Sequence, residues 1–205
     1  MVQDLGLLKE SASQTAGPYV HIGLTPNFSD IRGVYETDLG SGPLYNDGAK
    51  GERITITGRV FDGAGMPLRD ALLEIWQADA DGLYNSPSEH RGKADPNFAG
   101  WGRCPTNMDD GTFIFETIKP GKVPFIDGRP MAPHVTFWIV ARGINIGLHT
   151  RMYFSDEEAA NGADPILTRI EHKVRVPTLI GIRNGDIVTF NIHLQGERET
   201  IFFDS

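Results

Sequence analysis

An all-β architecture, an antiparallel β-sandwich with long loops and one or two short helices, is the fold class this sequence predicts. Three observations carry it. Six or more short runs alternate apolar and polar residues or are continuously apolar. They are separated by turns rich in the chain's 24 glycines and 13 prolines. Only one segment carries a clear helix-start signal.

In chain order, residues 1–14 show no period and read as an arm. Thr15-Ala16-Gly17-Pro18-Tyr19 is a turn whose glycine allows close backbone approach, and residues 20–23 read as a short strand. Residues 24–52 hold seven Gly or Pro residues and few consecutive apolar ones. A loop that long is uncommon unless it covers a site or a partner, so residues 1–52 read as an N-terminal arm with interaction loops. Residues 53–60 alternate strictly, as a half-buried strand does. Residues 71–76 form the next strand, between turns at 62–65 and 79–82. The Asp79-x-Asp81-Gly82 turn looks superficially like a calcium loop but lacks the downstream ligands and the closing glutamate. Residues 85–102 read as a second long loop, and 112–118 as a strand.

The stretch from Lys119 to Arg151 organises the chain. A Pro/Gly-rich turn delivers Pro133-His134 onto the continuous apolar run 135–140, whose Val, Ile, Phe and Trp content favours a strand. Residues 151–154 continue in β character. Ser155 with Glu158 has the spacing of a capping box, predicting a helix to about residue 162, and Asp164-Pro165 starts a further turn. Residues 187–194 alternate as one strand, and 200–203 close the chain as an edge strand.

At 205 residues the chain suits a single domain with one sizeable core, and neither a repeat nor a linker divides it. A net charge of -8 argues against a nucleic-acid surface. No run of 18 apolar residues and no secretory signal pattern is visible, so no membrane association and a cytoplasmic location are expected. Cys104 is the only cysteine; it excludes an internal disulfide and reads as a small buried hydrophobe. Six histidines are present without zinc-type spacing. The residues alone therefore give a soluble β-sandwich with a candidate site near Tyr84 and His134.

Four segments add to this: residues 76–84 (WQADADGLY), Asp95-Pro96-Asn97-Phe98, Thr117-Ile118-Lys119-Pro120-Gly121 and Pro133-His134. Together they resemble the intradiol ring-cleaving dioxygenases. Residues 13–23 (SQTAGPYVHIG), 141–146 (ARGINI) and the C-terminal segment are similar to one chain type of the family's two-chain members, and the resemblance spans nearly the whole chain. It implies a prealbumin-like core and cleavage of protocatechuate with O2 at an Fe(III) held by two tyrosines and two histidines. Hard Fe(III) suits phenolate oxygen. Tyr84 and His134 fall on two ligand positions, while Val123 and Thr136 replace the other two. Met131 stands where an arginine is usual. The resemblance thus implies that this chain holds no metal and that a homologous beta chain carries the iron. The two would form αβ protomers in a larger hetero-oligomer. The resemblance further places Thr15, Gly17, Pro18 and Arg142 at the substrate, with Arg142 toward its carboxylate. Two other readings are a non-catalytic prealbumin-like β-sandwich binding module, suggested by residues 58–62 and 67–71, and an independently active catechol-type dioxygenase, opposed by Val123 and Thr136.

Overall fold

The computed structural model describes residues 14–204, so the predicted arm at 1–14 lies almost wholly outside the described residues. The strands, in order, are β1 (Arg53–Phe61), β2 (Leu72–Trp76), β3 (Trp101–Pro105), β4 (Thr112–Ile118), β5 (Val123–Pro124), β6 (Pro130–Met131), β7 (His134–Val140), β8 (Leu148–Phe154), β9 (Ile180–Asn184), β10 (Ile187–Thr189) and β11 (Ile192–His193). Two short α-helices, α1 (Val20–Leu24) and α2 (Glu158–Ala163), and two 3-10 segments complete the described residues.

The chain is mostly β with few helices. Among the described residues, nine strands join in one sheet, ordered β11-β1-β10-β9-β8-β7-β2-β3 with β4 also paired to β1; β5 and β6 form a separate pair. The sheet bends back on itself so that β4 faces β7. Phe113 and Phe115 of β4 lie 6.0 and 6.1 Å from the Phe137 ring of β7, and Phe190 lies 5.3 Å from it. Val135, Phe137 and Ile139 alternate inward along β7 and are fully buried. Burying each such side chain contributes about 1.5–3 kcal/mol, which holds the bend closed. His134, Thr136 and Trp138 therefore point to the other face of β7. That alternation positions the candidate site.

Several expectations are corrected. The sheet is mixed rather than antiparallel, because β1 pairs in parallel with β10 and β11, and β8 pairs in parallel with β9. Residues 20–23 are helical: Pro18 presets a helical φ, and Thr25 caps the carbonyl of His21 through both its amide and its hydroxyl. The run at 187–194 is broken into β10 and β11. There Phe190 N–H donates to Thr57 O, and the Asn191 side chain accepts from Arg59 N–H in place of a backbone partner. Residues 200–203 make only an isolated bridge, Phe203 to His149. Ser155 caps no helix; its hydroxyl accepts the Arg183 amide at 2.9 Å. Helix α2 starts later, after Asp156 and Glu157, which Lys119 holds at 2.8 and 2.6 Å. Cys104 is partly buried with its thiol pKa pushed up by desolvation, consistent with a packing role.

Candidate functional site

Strand register builds one row of side chains on the outward face of β2, β7 and β8. Thr136 stands opposite Trp76 on one side and Arg151 on the other, and His134 stands opposite Tyr153. Tyr84 enters from the loop after β2 and stacks on Trp76, with ring centroids 5.9 Å apart and planes within 2°. Val123 and Met131, on the β5–β6 pair, pack with Tyr84, Phe125 and Ile166 in a small apolar cluster. The four positions expected from the ligand pattern thus have their surroundings defined, and two are apolar or hydroxyl-bearing.

Two buried aspartates hold this arrangement. Asp79 accepts the amides of Asp81 and Leu83 on one oxygen and that of Asp95 on the other. Its carboxylate is spent on the turn that presents Tyr84, so the calcium-loop likeness has a local structural explanation. Gly82 sits in this turn at φ +79°, and a Cβ there would meet Lys122 O at 2.1 Å, so only glycine fits. Asp164, fully buried, accepts from Ala132 N through Oδ2 and from Ile166 N and Leu167 N through Oδ1. It ties the Ala132-Pro133-His134 turn to the segment covering it. Gln77, the partner of Trp76 in its motif, is equally structural, bridging Ile118 O and the Thr117 hydroxyl.

His134 is buried, and its Nδ1 lies 2.8 Å from Ala132 O. A carbonyl only accepts, so Nδ1 carries the proton and Nε2 is the unprotonated nitrogen. Burial and then the Arg151 cation lower its pKa to about 4, against smaller opposing contributions from the Ala132 hydrogen bond and Asp164. Tyr84 is also desolvated and its pKa is raised, though Arg151 and Arg91 pull the other way. The phenol therefore stays protonated at neutral pH. The ferric ion implied by the family resemblance does not fit this residue set. It would have only the Nε2 of His134 and the Tyr84 phenol oxygen, since valine cannot coordinate and the Thr136 hydroxyl is a poor donor. Arg151, Nη1 of which reaches Met131 Sδ at 3.5 Å, adds fixed positive charge where a trivalent cation would sit nearby. Arg151 went unnoticed in the sequence because only its register opposite Thr136 places it here.

A pH dependence follows. His134 has a folded pKa of about 4, below the ordinary 6.5, so the unfolded chain takes up the proton first. Its contribution is intact above pH 6.5 and is lost as pH falls toward 4, amounting to roughly 3 kcal/mol. Melting curves of the native chain and His134→Gln between pH 7 and 4.5 should converge on acidification; parallel curves would contradict this. Arg151, Tyr153 and Asp164 are the titratable or charged groups around the ring.

The other predicted residues meet elsewhere. The Thr15 hydroxyl donates to Ala141 O at 3.2 Å and accepts Gly17 N–H at 3.3 Å, so the N-terminal turn docks beside Arg142. Gly17 has φ +77°, with nothing within 4 Å of a built Cβ. Pro18 and Arg142 line one cavity of about 360 Å³ together with His21, Arg69 and Asp70. A separate cavity of about 180 Å³ opens beside Trp76, Tyr84 and Glu89. Asp70, which the sequence did not single out, forms an ion pair with Arg142.

A mixed β-sheet wrapped round a phenylalanine core, with Tyr84 and His134 gathered beside Arg151 on its outward face, is the frame the comparisons meet. The profile of the dioxygenase family matches residues 25–196, and the chain belongs to that family of intradiol ring-cleaving enzymes. Over nearly its full length it is similar to protocatechuate 3,4-dioxygenase alpha chains. Identity is 44% with that of Pseudomonas putida, covering 97% of this chain and 98% of the relative. It is 35% with that of Burkholderia cepacia, covering 96% and 98%. The beta chain of the Burkholderia cepacia enzyme is 40% identical over a shorter stretch, 60% of this chain and 53% of that one. Among solved structures, 3-chlorocatechol 1,2-dioxygenase from Rhodococcus opacus 1CP shares the fold with a TM-score of 0.60 at 22% identity, covering 80% of this chain and 67% of that one. No helix among the described residues is long and apolar enough to cross a membrane.

Proposed function

We propose that this chain is the iron-free alpha subunit of a two-chain protocatechuate 3,4-dioxygenase, paired with a homologous beta chain that holds Fe(III). The 44% identity to an alpha chain across 97% of this chain carries the reading. The incomplete ligand set at Tyr84, Val123, His134 and Thr136, with Arg151 beside it, supports it. The assembled enzyme would add O2 to protocatechuate and open the ring between its hydroxyl-bearing carbons, giving 3-carboxy-cis,cis-muconate. Bound in the beta chain, the iron supplies the redox chemistry.

This chain's own residues shape and charge the substrate's surroundings. Pro18 offers a rigid apolar wall, and the open space around Gly17 lets its backbone approach a ligand. Thr15 braces the turn on Ala141. Arg142, with its side chain 63% exposed, attracts the substrate carboxylate. The chain acts as one domain whose two sheet halves stack as a β-sandwich, with residues 1–52 as partner-contacting arm and loops, in the cytoplasm. Phe28, Ile31, Val34, Tyr35 and Leu39 are all exposed on that loop, a concentration of apolar surface suited to burial by the beta chain and to larger assembly of αβ protomers.

Expression of the chain alone and together with the beta chain from the same organism tests this. Ring cleavage is expected only from the pair, with the lone chain prone to aggregate. Cleavage by the lone chain, or a well-behaved monomer whose melting is unchanged by the beta chain, would overturn it.

A further inference from the structure

Asp70 and Arg142 meet at the mouth of the cavity formed by the N-terminal turn, with Arg142 Nε 3.0 Å from Asp70 Oδ2. The two partners are unequally held. Asp70 has a side chain only 10% exposed, against 63% for Arg142. Its neighbour Ala71 is clamped by Thr106, whose hydroxyl accepts Ala71 N–H at 3.1 Å and whose amide donates to Ala71 O at 2.8 Å. Asp70 is therefore the fixed member and Arg142 the long, mobile one. The ion pair holds the guanidinium at the cavity, while the exposed side chain keeps donors available to an anion. The second oxygen, Asp70 Oδ1, is buried without a partner, as is His21 Nδ1 in the same cavity. Keeping a buried acceptor unpaired is costly, so the carboxylate is retained against its own desolvation. The ion pair with Arg142 offsets part of that cost.

We infer that Asp70 is a positioning residue, holding the guanidinium of Arg142 through their ion pair so that it meets a carboxylate on the bound aromatic acid. The inference rests on the proposed role of Arg142. Without the anchor, the arginine spreads over many rotamers, and ordering it on each binding event weakens binding of the anion. A carboxylate this close also repels an anionic substrate, but Arg69 lines the same cavity and leaves an excess of positive charge there.

The test is steady-state kinetics of the assembled, iron-loaded two-chain enzyme on protocatechuate and on catechol, which lacks the carboxylate. Asp70→Ala is expected to raise KM for protocatechuate about five- to tenfold at unchanged kcat, with catechol altered less than about twofold. Asp70→Asn removes the charge at constant shape and should give most of the same rise in KM, which separates the ion pair from packing. In the Arg142→Ala background, Asp70→Ala should add nothing further. Equal losses on both substrates, additive losses in the double variant, or a lower KM for protocatechuate in Asp70→Ala would each overturn the inference. If Arg142→Ala itself leaves the protocatechuate-to-catechol ratio unchanged, the role of Arg142 falls, and this with it. If only Asp70→Ala fails to change that ratio, the Arg142 role stands and the anchoring does not.

Discussion

Arg142→Ala in the assembled enzyme is expected to lower kcat/KM for protocatechuate about tenfold, almost entirely through KM. A charge-assisted hydrogen bond is worth about 1.5–3 kcal/mol, or about 10- to 150-fold in affinity. The side chain is 63% exposed, so solvent screening places the effect at the low end. Iron content should be unchanged. Catechol has no carboxylate for the guanidinium to meet, so its turnover should hardly move. Equal losses on both substrates with reduced assembly would instead make Arg142 an interface residue.

Asp164→Ala should destabilise the chain by about 3–4 kcal/mol, because it strips partners from several buried groups at once. The amides of Ala132, Ile166 and Leu167 each lose their acceptor, and Tyr153 loses the carboxylate 3.5 Å from its hydroxyl. Asp164→Asn, which keeps one acceptor oxygen, should cost about half as much. Urea titration of the assembled protein measures both. A midpoint shift within error for Asp164→Ala would mean that the covering segment does not depend on this carboxylate.

Much of the fold was legible, and the failures have physical causes. Residues 53–60 and 112–118 alternate cleanly because each strand buries one face, and they pair residue for residue from Arg53–Ile118 to Arg59–Thr112. Strand β3 was hidden because Trp101-Gly102-Arg103-Cys104-Pro105 has a glycine and a proline and no hydrophobic alternation. An edge position tolerates the proline, and Arg103 is held by Glu74 of β2 at 2.6 Å. Strand β9 was equally hidden, since Ile180–Asn184 is short and its Gly181 is where Met152 and Val188 pack. It pairs in antiparallel register with β10 across Gly185-Asp186, so Asn184-Gly185 was a hairpin signal that went unread. Helix α1 was misread because Val20-His21-Ile22-Gly23 is too short to show a helical period after the proline turn.

The candidate site divides in the same way. Tyr84, Val123, His134 and Thr136 were named from the family resemblance, as were the N-terminal turn and Arg142; Thr15 docks onto Ala141 in the structure. Arg151, Asp164 and Asp70 carry no motif. Each matters through a partner distant in sequence, such as Asp70 for Arg142 and Asp164 for Ala132. Long-range pairing of single charged residues leaves no periodic trace.

If the iron belongs to the beta chain, this chain purified alone should hold none. Iron stoichiometry, measured together with the tyrosinate-to-iron charge-transfer band on the lone chain and on the two-chain complex, decides between the chains. The lone chain should show no band and no stoichiometric iron, and the complex one iron per αβ pair that survives Tyr84→Phe. One iron per lone chain, with a band abolished by Tyr84→Phe, would contradict it.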